Sequence, residues 1–223
     1  MKTKWTRASL AAVIDHTLLK AEATPVQVRK VCQEAKENGF AAVCVNPCYI
    51  PLVAEELKGS SVKVCSVVGF PLGANPTEIK VQETRYVIAH GAQEVDMVIN
   101  IGLLKAGDMH AVLEDIKAVV QAAKSATVKV ILETCYLSDE EKVSACKVAK
   151  EAGAHFVKTS TGFGAGGATV EDIKLMRSVV GSGMKIKASG GIRSLATALA
   201  MLDAGADRLG ASAGLTILKE LTE

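Results

Sequence analysis

The stretch 152–169 reads AGAHFVKTSTGFGAGGAT and contains the strand and loop of one structural repeat, up to the start of its helix. Gly153 closes a helix, because a glycine accepts the left-handed backbone that ends one. His155–Lys158 follows as a short strand. The run STGFGAGGAT turns the chain, and Thr169 caps the next helix by offering its side-chain oxygen to a free N–H. The same glycine-before-strand signature occurs at Gly39 in NGFAAVCV, Gly91 in HGAQEVDMV and Gly205 in AGADRLG. The four glycines are spaced by 52, 62 and 52 residues, about two repeats each time. Between them lie strands of a second type, VKVCSVV, VKVILE and MKIKAS.

With a first strand at Val13–His16, the set comprises Ala41–Asn46, Lys63–Val68, Glu94–Asn100, Val128–Leu132, His155–Lys158, Lys185–Ala188 and Arg208–Gly210. Helix starts fall between them: Thr24 before Pro25, the capping box Ser138-Asp139-Glu140-Glu141, and Ser194. Regular strand–helix alternation implies a parallel sheet. Eight strands with right-handed crossovers predict closure into a (β/α)8 TIM barrel, with residues 1–223 forming one catalytic domain. An open doubly wound sheet is the competing architecture. Its dinucleotide loop would follow the first strand, whereas here the glycine-rich loops come late.

Composition agrees. Of 223 residues, 49% are hydrophobic and 4% aromatic, so the core is aliphatic, as suits strands buried on both faces. A formal charge of +2 gives no electrostatic argument for nucleic acid or a membrane as partner. No apolar run approaches the ~20 residues of a membrane helix. Leu10–Ile14 is too short for a signal peptide despite the basic Lys2, Lys4 and Arg7, so a cytoplasmic location is expected. The six cysteines form no C-x-x-C pair, and the four histidines (His16, His90, His110, His155) form no H-x-H or H-E-x-x-H spacing. No metal site is expected. His16 reads as a hydrogen-bonded structural residue.

In a barrel, side chains alternate between the interior and the helix layer, and most inward positions are expected to be apolar. Four charged residues near strand C-termini stand out: Asp15, Asp96, Lys158 and Lys187. Lys158 and Lys187 belong to consecutive strands. A lysine facing a second ammonium in a desolvated pocket loses proton affinity, and its free amine can attack a carbonyl to form a Schiff base. Asp96 reads equally as a proton relay or as a structural ion pair. Asp15, at the end of the first strand, reads as a loop anchor or a second carboxylate of the same network. Lys185 shares the face of Lys187 and belongs at the opposite end of the strand. An anion site is expected where loops after the last strands meet, with Gly190, Gly191 and Ser212 as its residues and Gly162 and Gly164 nearby. Cys44 or Cys48 is expected in the pocket wall.

Eight segments, IDHTLLK, AAVCVNP, VVGFPLGANPTEIK, GAQEVDMVIN, ILETCYLSDEE, FVKTSTGFGAGGAT, KASGGIRS and RLGASAG, occur in the order and spacing of one family over essentially the whole chain. The chain resembles the deoxyribose-phosphate aldolases. That resemblance implies a class I aldolase needing no metal and no organic cofactor. It implies Lys158 as the Schiff-base lysine, Lys187 as the second lysine, Asp96 as acid/base and Asp15 in the proton relay. It further implies Gly190, Gly191 and Ser212 around a phosphate, Thr161 near the substrate, and a homodimer or higher homo-oligomer. Phe163 stands where some members have lysine, and Ala213 where some have a second serine. Another Schiff-base aldolase, a phosphate-binding barrel isomerase or synthase, and a non-catalytic sugar-phosphate binder remain open on the residues alone.

Overall fold

The structure, a computed structural model, describes residues 5–221. Eight parallel strands close into a barrel in sequence order: β1 Ile14–Leu18, β2 Ala42–Val45, β3 Lys63–Val68, β4 Glu94–Val98, β5 Thr127–Ile131, β6 Phe156–Lys158, β7 Lys185–Ser189 and β8 Arg208–Ala211. The open-sheet alternative is thereby excluded. The helices are α1 Arg7–Ala11, α2 Pro25–Asn38, α3 Ile50–Glu56, α4 Thr77–Ala89, α5 Ile101–Lys105, α6 Met109–Ala123, α7 Asp139–Glu151, α8 Val170–Val180, α9 Leu195–Asp203 and α10 Gly214–Glu220. Helix α1 precedes the first strand and was not foreseen. Its Arg7 donates to the carbonyl of Leu218 at 3.0 Å and to Asn38 Oδ1 at 2.8 Å, tying the chain's start to α10 and α2. No helix among the described residues is long and apolar enough to cross a membrane.

The expected caps are in place. Thr24 and Ser138 each form a capping box, and Thr169 and Ser194 each accept from the backbone three residues on. Gly39, Gly91, Gly153 and Gly205 have φ of 69°, 107°, 81° and 116°, the region where a side chain is penalised. Each turns the chain from a helix into an even-numbered strand.

The core has two compartments. Outward strand residues such as Val43, Val64, Val95, Val128, Val157 and Ile186 are buried against the helices. Inside the barrel, an apolar cluster of Leu19, Ala42, Cys44, Cys65 and Val67 lies against β2 and β3. Much of the remaining interior is charged, with the Phe156 ring beside Lys129, Lys185 and Arg208, so the expectation of a mostly apolar barrel interior does not hold. Burying this charge is costly unless every group is paired.

A second buried ion pair braces the outer layer. Lys80 of α4, fully buried, donates to Asp115 of α6 at 2.6 Å and to the carbonyl of Val98 at 3.0 Å. Thr77 donates to the other carboxylate oxygen at 2.8 Å. Together they pin two helices to the exit of β4. Replacing Lys80 by alanine leaves Asp115 buried without its cation, and urea titration should show a loss of about 3–5 kcal/mol. A loss below about 1 kcal/mol would show that water reaches the pair.

Candidate active site

Strand register assembles the charged interior. Lys158 pairs with Lys187 across β6 and β7, Lys187 with Arg208 across β7 and β8, and Asp96 with Lys129 across β4 and β5. Glu94 lies two residues from Asp96 and shares its face. Asp15 enters from β1 opposite Gly210. Asp96 Oδ2 accepts from Lys158 Nζ at 2.7 Å and from Lys187 Nζ at 2.8 Å, while Oδ1 accepts from Lys129 Nζ at 2.7 Å. Lys187 also donates to Asp15 Oδ2, and Arg208 donates to Asp15 Oδ1 at 2.6 Å. Glu94 completes the group, 2.7 Å from Lys129 and 3.5 Å from Arg208. Four cations therefore share three carboxylates. Gly210 leaves the necessary space: a Cβ there would lie 2.5 Å from Ser189 Oγ and 3.0 Å from Lys187 Cε.

These contacts set the ionisation of the cluster. Burial pushes the Asp96 carboxyl up, yet Lys129, Lys158 and Lys187 outweigh it and hold the group well below the usual carboxylate range. Asp15 is lowered in the same way, burial being overcome by Lys187, Lys129 and Arg208. Burial works against the charged form of Lys187, but Asp15 and Asp96 raise its pKa above the usual lysine value.

The expected lysine pair is thus bridged rather than face to face, because the Asp96 carboxylate stands between the two ammonium groups. Asp15 is not a loop anchor at a strand end. It is the second residue of β1, fully buried, and the strand continues to Leu18. Lys185 is exposed at the far end of β7, as expected. Lys129, Glu94 and Arg208 belong to the cluster and were missed. The signal for Lys129 was present: a lysine flanked by Val128 and Val130 alternates with two outward residues, so it must point inward.

Above the cluster opens a cavity of about 330 Å³ lined by Lys158, Thr161, Gly162, Gly190, Gly191 and Ser212, with Phe163 and Ser189 beside them. Lys20 and Arg193, two exposed cations absent from the sequence reading, also line it. Asp15, Asp96 and Lys187 lie beneath this floor. Cys44 does not reach it, being buried in the β2–β3 cluster, and Cys48 is exposed elsewhere. Gly164 packs on Cys135 and Glu133 rather than on the cavity. Gly162 and Gly191, with φ of 86° and 78°, have no neighbour where a Cβ would stand, whereas a Cβ on Gly167 would lie 2.3 Å from the Gly190 carbonyl oxygen. The glycines thus serve two needs, positive φ at the cavity and backbone-on-backbone packing behind it. Ser189 Oγ is buried at the wall without a hydrogen-bond partner among the described residues. Such a group calls for an account, and a ligand hydroxyl would supply one.

The histidines stand apart. His16 Nε2 bonds Glu34 Oε2 at 2.7 Å and its ring stacks on Phe40, while His155 Nδ1 accepts from the Val128 N–H. Two buried trios, Cys44 with Cys65 and Asp96, and Asp15 with Cys65 and Glu94, gather possible metal-ligand atoms within 4.8 Å of one another. Their carboxylates are already engaged by ammonium and guanidinium groups, which a metal would have to displace.

Residues 9–220 match the DeoC/LacD family aldolase pattern. The chain belongs to the DeoC/LacD aldolase family. It is 59% identical over 223 residues to the deoxyribose-phosphate aldolase of Caldanaerobacter subterraneus subsp. tengcongensis, covering 99% of this chain and 96% of that one. It is 62% identical over 210 residues to that of Bdellovibrio bacteriovorus, covering 94% and 96%. Among solved structures, the deoxyribose phosphate aldolase of Aeropyrum pernix, described as a unique tetramer, superposes with a TM-score of 0.91 at 37% identity, covering 96% of this chain and 91% of that one.

In this DeoC/LacD aldolase the depressed carboxylates have a pH signature. Asp15 and Asp96 are held below the ~3.9 of an unfolded aspartate, so the stability they confer is complete above about pH 4 and fades as pH falls further. Asp96→Asn, which leaves three ammonium groups around a neutral amide, should lose about 3–5 kcal/mol at pH 7. Its stability should also fall less steeply than that of the unmodified protein between about pH 4 and pH 2. Parallel curves in urea titrations across that range would assign the acid sensitivity to other groups.

Proposed function

We propose that the chain is a class I aldolase that reversibly cleaves 2-deoxy-D-ribose 5-phosphate to D-glyceraldehyde 3-phosphate and acetaldehyde, using Lys158 as its Schiff-base nucleophile. The observation that carries this reading is positional. Of the three lysines buried inside the barrel, Lys129, Lys158 and Lys187, Lys158 lines the cavity, while its Nζ touches the carboxylate that also binds Lys187.

Lys158, as the free amine, attacks the aldehyde carbon of the open-chain sugar and water leaves. The protonated imine withdraws electrons, so the bond between sugar carbons two and three breaks once the hydroxyl on carbon three gives up its proton. Glyceraldehyde 3-phosphate departs and an enamine stays on Lys158. A relay through Lys187, Asp96 and water returns a proton to the terminal carbon, with Asp15 holding Lys187, and hydrolysis frees the amine. The phosphate lies against Gly162, Gly190, Gly191 and Ser212, with Thr161 beside the substrate and Lys20 and Arg193 supplying positive charge. Binding energy from this remote group positions a short substrate. The reaction needs neither metal nor organic cofactor. The enzyme works in the cytoplasm in deoxyribose catabolism, with residues 1–223 as one domain and no nucleic acid or membrane partner. It assembles as a homodimer or higher homo-oligomer, a reading supported by the tetramer described for the Aeropyrum pernix relative.

Borohydride trapping with deoxyribose 5-phosphate in the presence of EDTA, followed by peptide mass spectrometry, should place a reduced adduct on Lys158. No adduct from folded protein and intact substrate would remove the class I reading. Lys158→Ala should abolish turnover, and Lys187→Ala should slow it by about 10²–10⁴-fold if it transfers the proton. Phe163→Lys combined with Ala213→Ser should strengthen the preference for phosphorylated over free deoxyribose. An unchanged ratio of kcat/KM values would show that these two positions do not limit phosphate recognition.

A further inference from the structure

The exit of β5 carries an extra residue. The N–H of Leu132 donates to the carbonyl of Lys158 at 2.9 Å and that of Thr134 to the carbonyl of Thr159 at 3.0 Å. Two residues separated by one answer consecutive carbonyls at the end of β6 and just beyond it, so Glu133 bulges from the ladder. Its φ of 56° and ψ of 62° are left-handed. Glycine is the usual residue in such a bulge, because a side chain there carries strain. The Glu133 side chain therefore has to justify its place.

Its carboxylate is buried and receives all three contacts from one residue. The Thr161 N–H donates to Oε1 at 3.2 Å and to Oε2 at 3.3 Å, and Thr161 Oγ1 donates to Oε2. With its proton committed to Glu133, Thr161 Oγ1 accepts from the Phe163 N–H at 3.0 Å. This order of donors fixes the turn Thr161-Gly162-Phe163, whose three residues all line the cavity. The glycine loop beyond rests on the same turn: a Cβ on Gly164 would lie 3.2 Å from Glu133 Cδ, and one on Gly166 would lie 2.9 Å from Cys135 Cβ. Bulges next to active sites commonly re-aim one side chain, and this one aims a carboxylate at a loop.

We infer that Glu133 is a positioning residue for anion recognition, its carboxylate holding Thr161 and Gly162 in the conformation that receives the substrate phosphate. This rests on the aldolase reading of the cavity. Glu133 touches no reacting atom, so its loss should appear in phosphate-dependent binding rather than in imine chemistry.

Glu133→Gly, Glu133→Ala and Glu133→Gln separate the possibilities. Glycine suits the bulge backbone and removes the carboxylate, whereas glutamine keeps one acceptor oxygen. The glycine and alanine variants should raise KM for deoxyribose 5-phosphate about tenfold or more while kcat/KM for unphosphorylated deoxyribose changes little, and glutamine should restore part of the loss. Thr161→Val, which removes the donor hydroxyl and keeps Glu133, should shift KM in the same direction, and combining it with the isosteric Glu133→Gln should add little, because the two act through one hydrogen bond; full additivity would overturn the proposal even if the glycine and alanine variants do not fold. A glycine variant with unaltered KM would reduce Glu133 to a backbone feature. Equal losses on phosphorylated and free sugar would also overturn the proposal. Borohydride trapping of acetaldehyde on Lys158 should persist in every folded Glu133 variant. Its absence from the unmodified protein would instead count against the aldolase reading.

Discussion

The Asp96 carboxylate accepts from three ammonium groups at 2.7–2.8 Å inside a closed barrel, and the interior is arranged around it. A buried carboxylate and a buried ammonium each cost several kcal/mol to desolvate, and neither is tolerated alone. Asp96 therefore requires its lysines. They in turn require Asp15 and Glu94, and Arg208 answers those two carboxylates. The cluster is closed in the sense that removing any member exposes another. It also carries a surplus of one positive charge directly beneath the cavity, to which Lys20 and Arg193 add at the wall. A formal net charge of +2 conceals this, because the excess is local. Such a field favours a ligand that brings negative charge of its own.

The same cluster explains which parts of the molecule were legible in the sequence. The fold was, because its signals are local and repeat: a glycine after each of four helices, a hydroxyl or capping box before the next, and aliphatic runs of strand length between them. Lys158 and Lys187 were legible because charge at the C-terminal ends of adjacent strands is unusual. Glu94 and Arg208 escaped because they begin their strands, and Lys129 because it stands mid-strand, level with Asp96, where the interior was assumed to be apolar. Alternation alone would have turned Lys129 inward, and the need for a counter-ion would then have pointed to Asp96 and Glu94. Glu133 gave no signal of any kind. A glycine in a bulge announces positive φ, but a glutamate in the same conformation looks like any other strand-end residue.

The depth of Asp15 was misjudged for a related reason. The first strand was expected to end at His16, which put Asp15 at its exit. In the barrel it pairs with Ala42 and Gly210, two of the smallest side chains available, and β1 continues beyond it to Leu18. Small neighbours on both sides give a charged side chain room in a narrow interior. Gly210 serves Lys187 as well, so the missing side chain on β8 is as much a part of the site as the charges are.

Chemistry and recognition are joined by the backbone. The strands that carry Lys158 and Lys187 run directly into the loops that carry Gly162 and Gly190, four and three residues later. The two strand exits are cross-linked, with Thr159 Oγ1 donating to the Ser189 carbonyl and accepting from its N–H, both at 3.1 Å. Ala168 donates to the carbonyls of Ser189 and Gly190, and the close approach of Gly167 to Gly190 locks the loops behind the cavity. At ~3.3 Å per extended residue, Lys158 and Gly162 are separated by at most roughly 13 Å of chain and Lys187 and Gly190 by roughly 10 Å, with little freedom to stretch. Reach is therefore a selection rule. On the proposed reading, a sugar phosphate that places its carbonyl on Lys158 and its phosphate on the glycine loops satisfies both ends at once. A longer or shorter one must give up either the binding energy or the attack geometry.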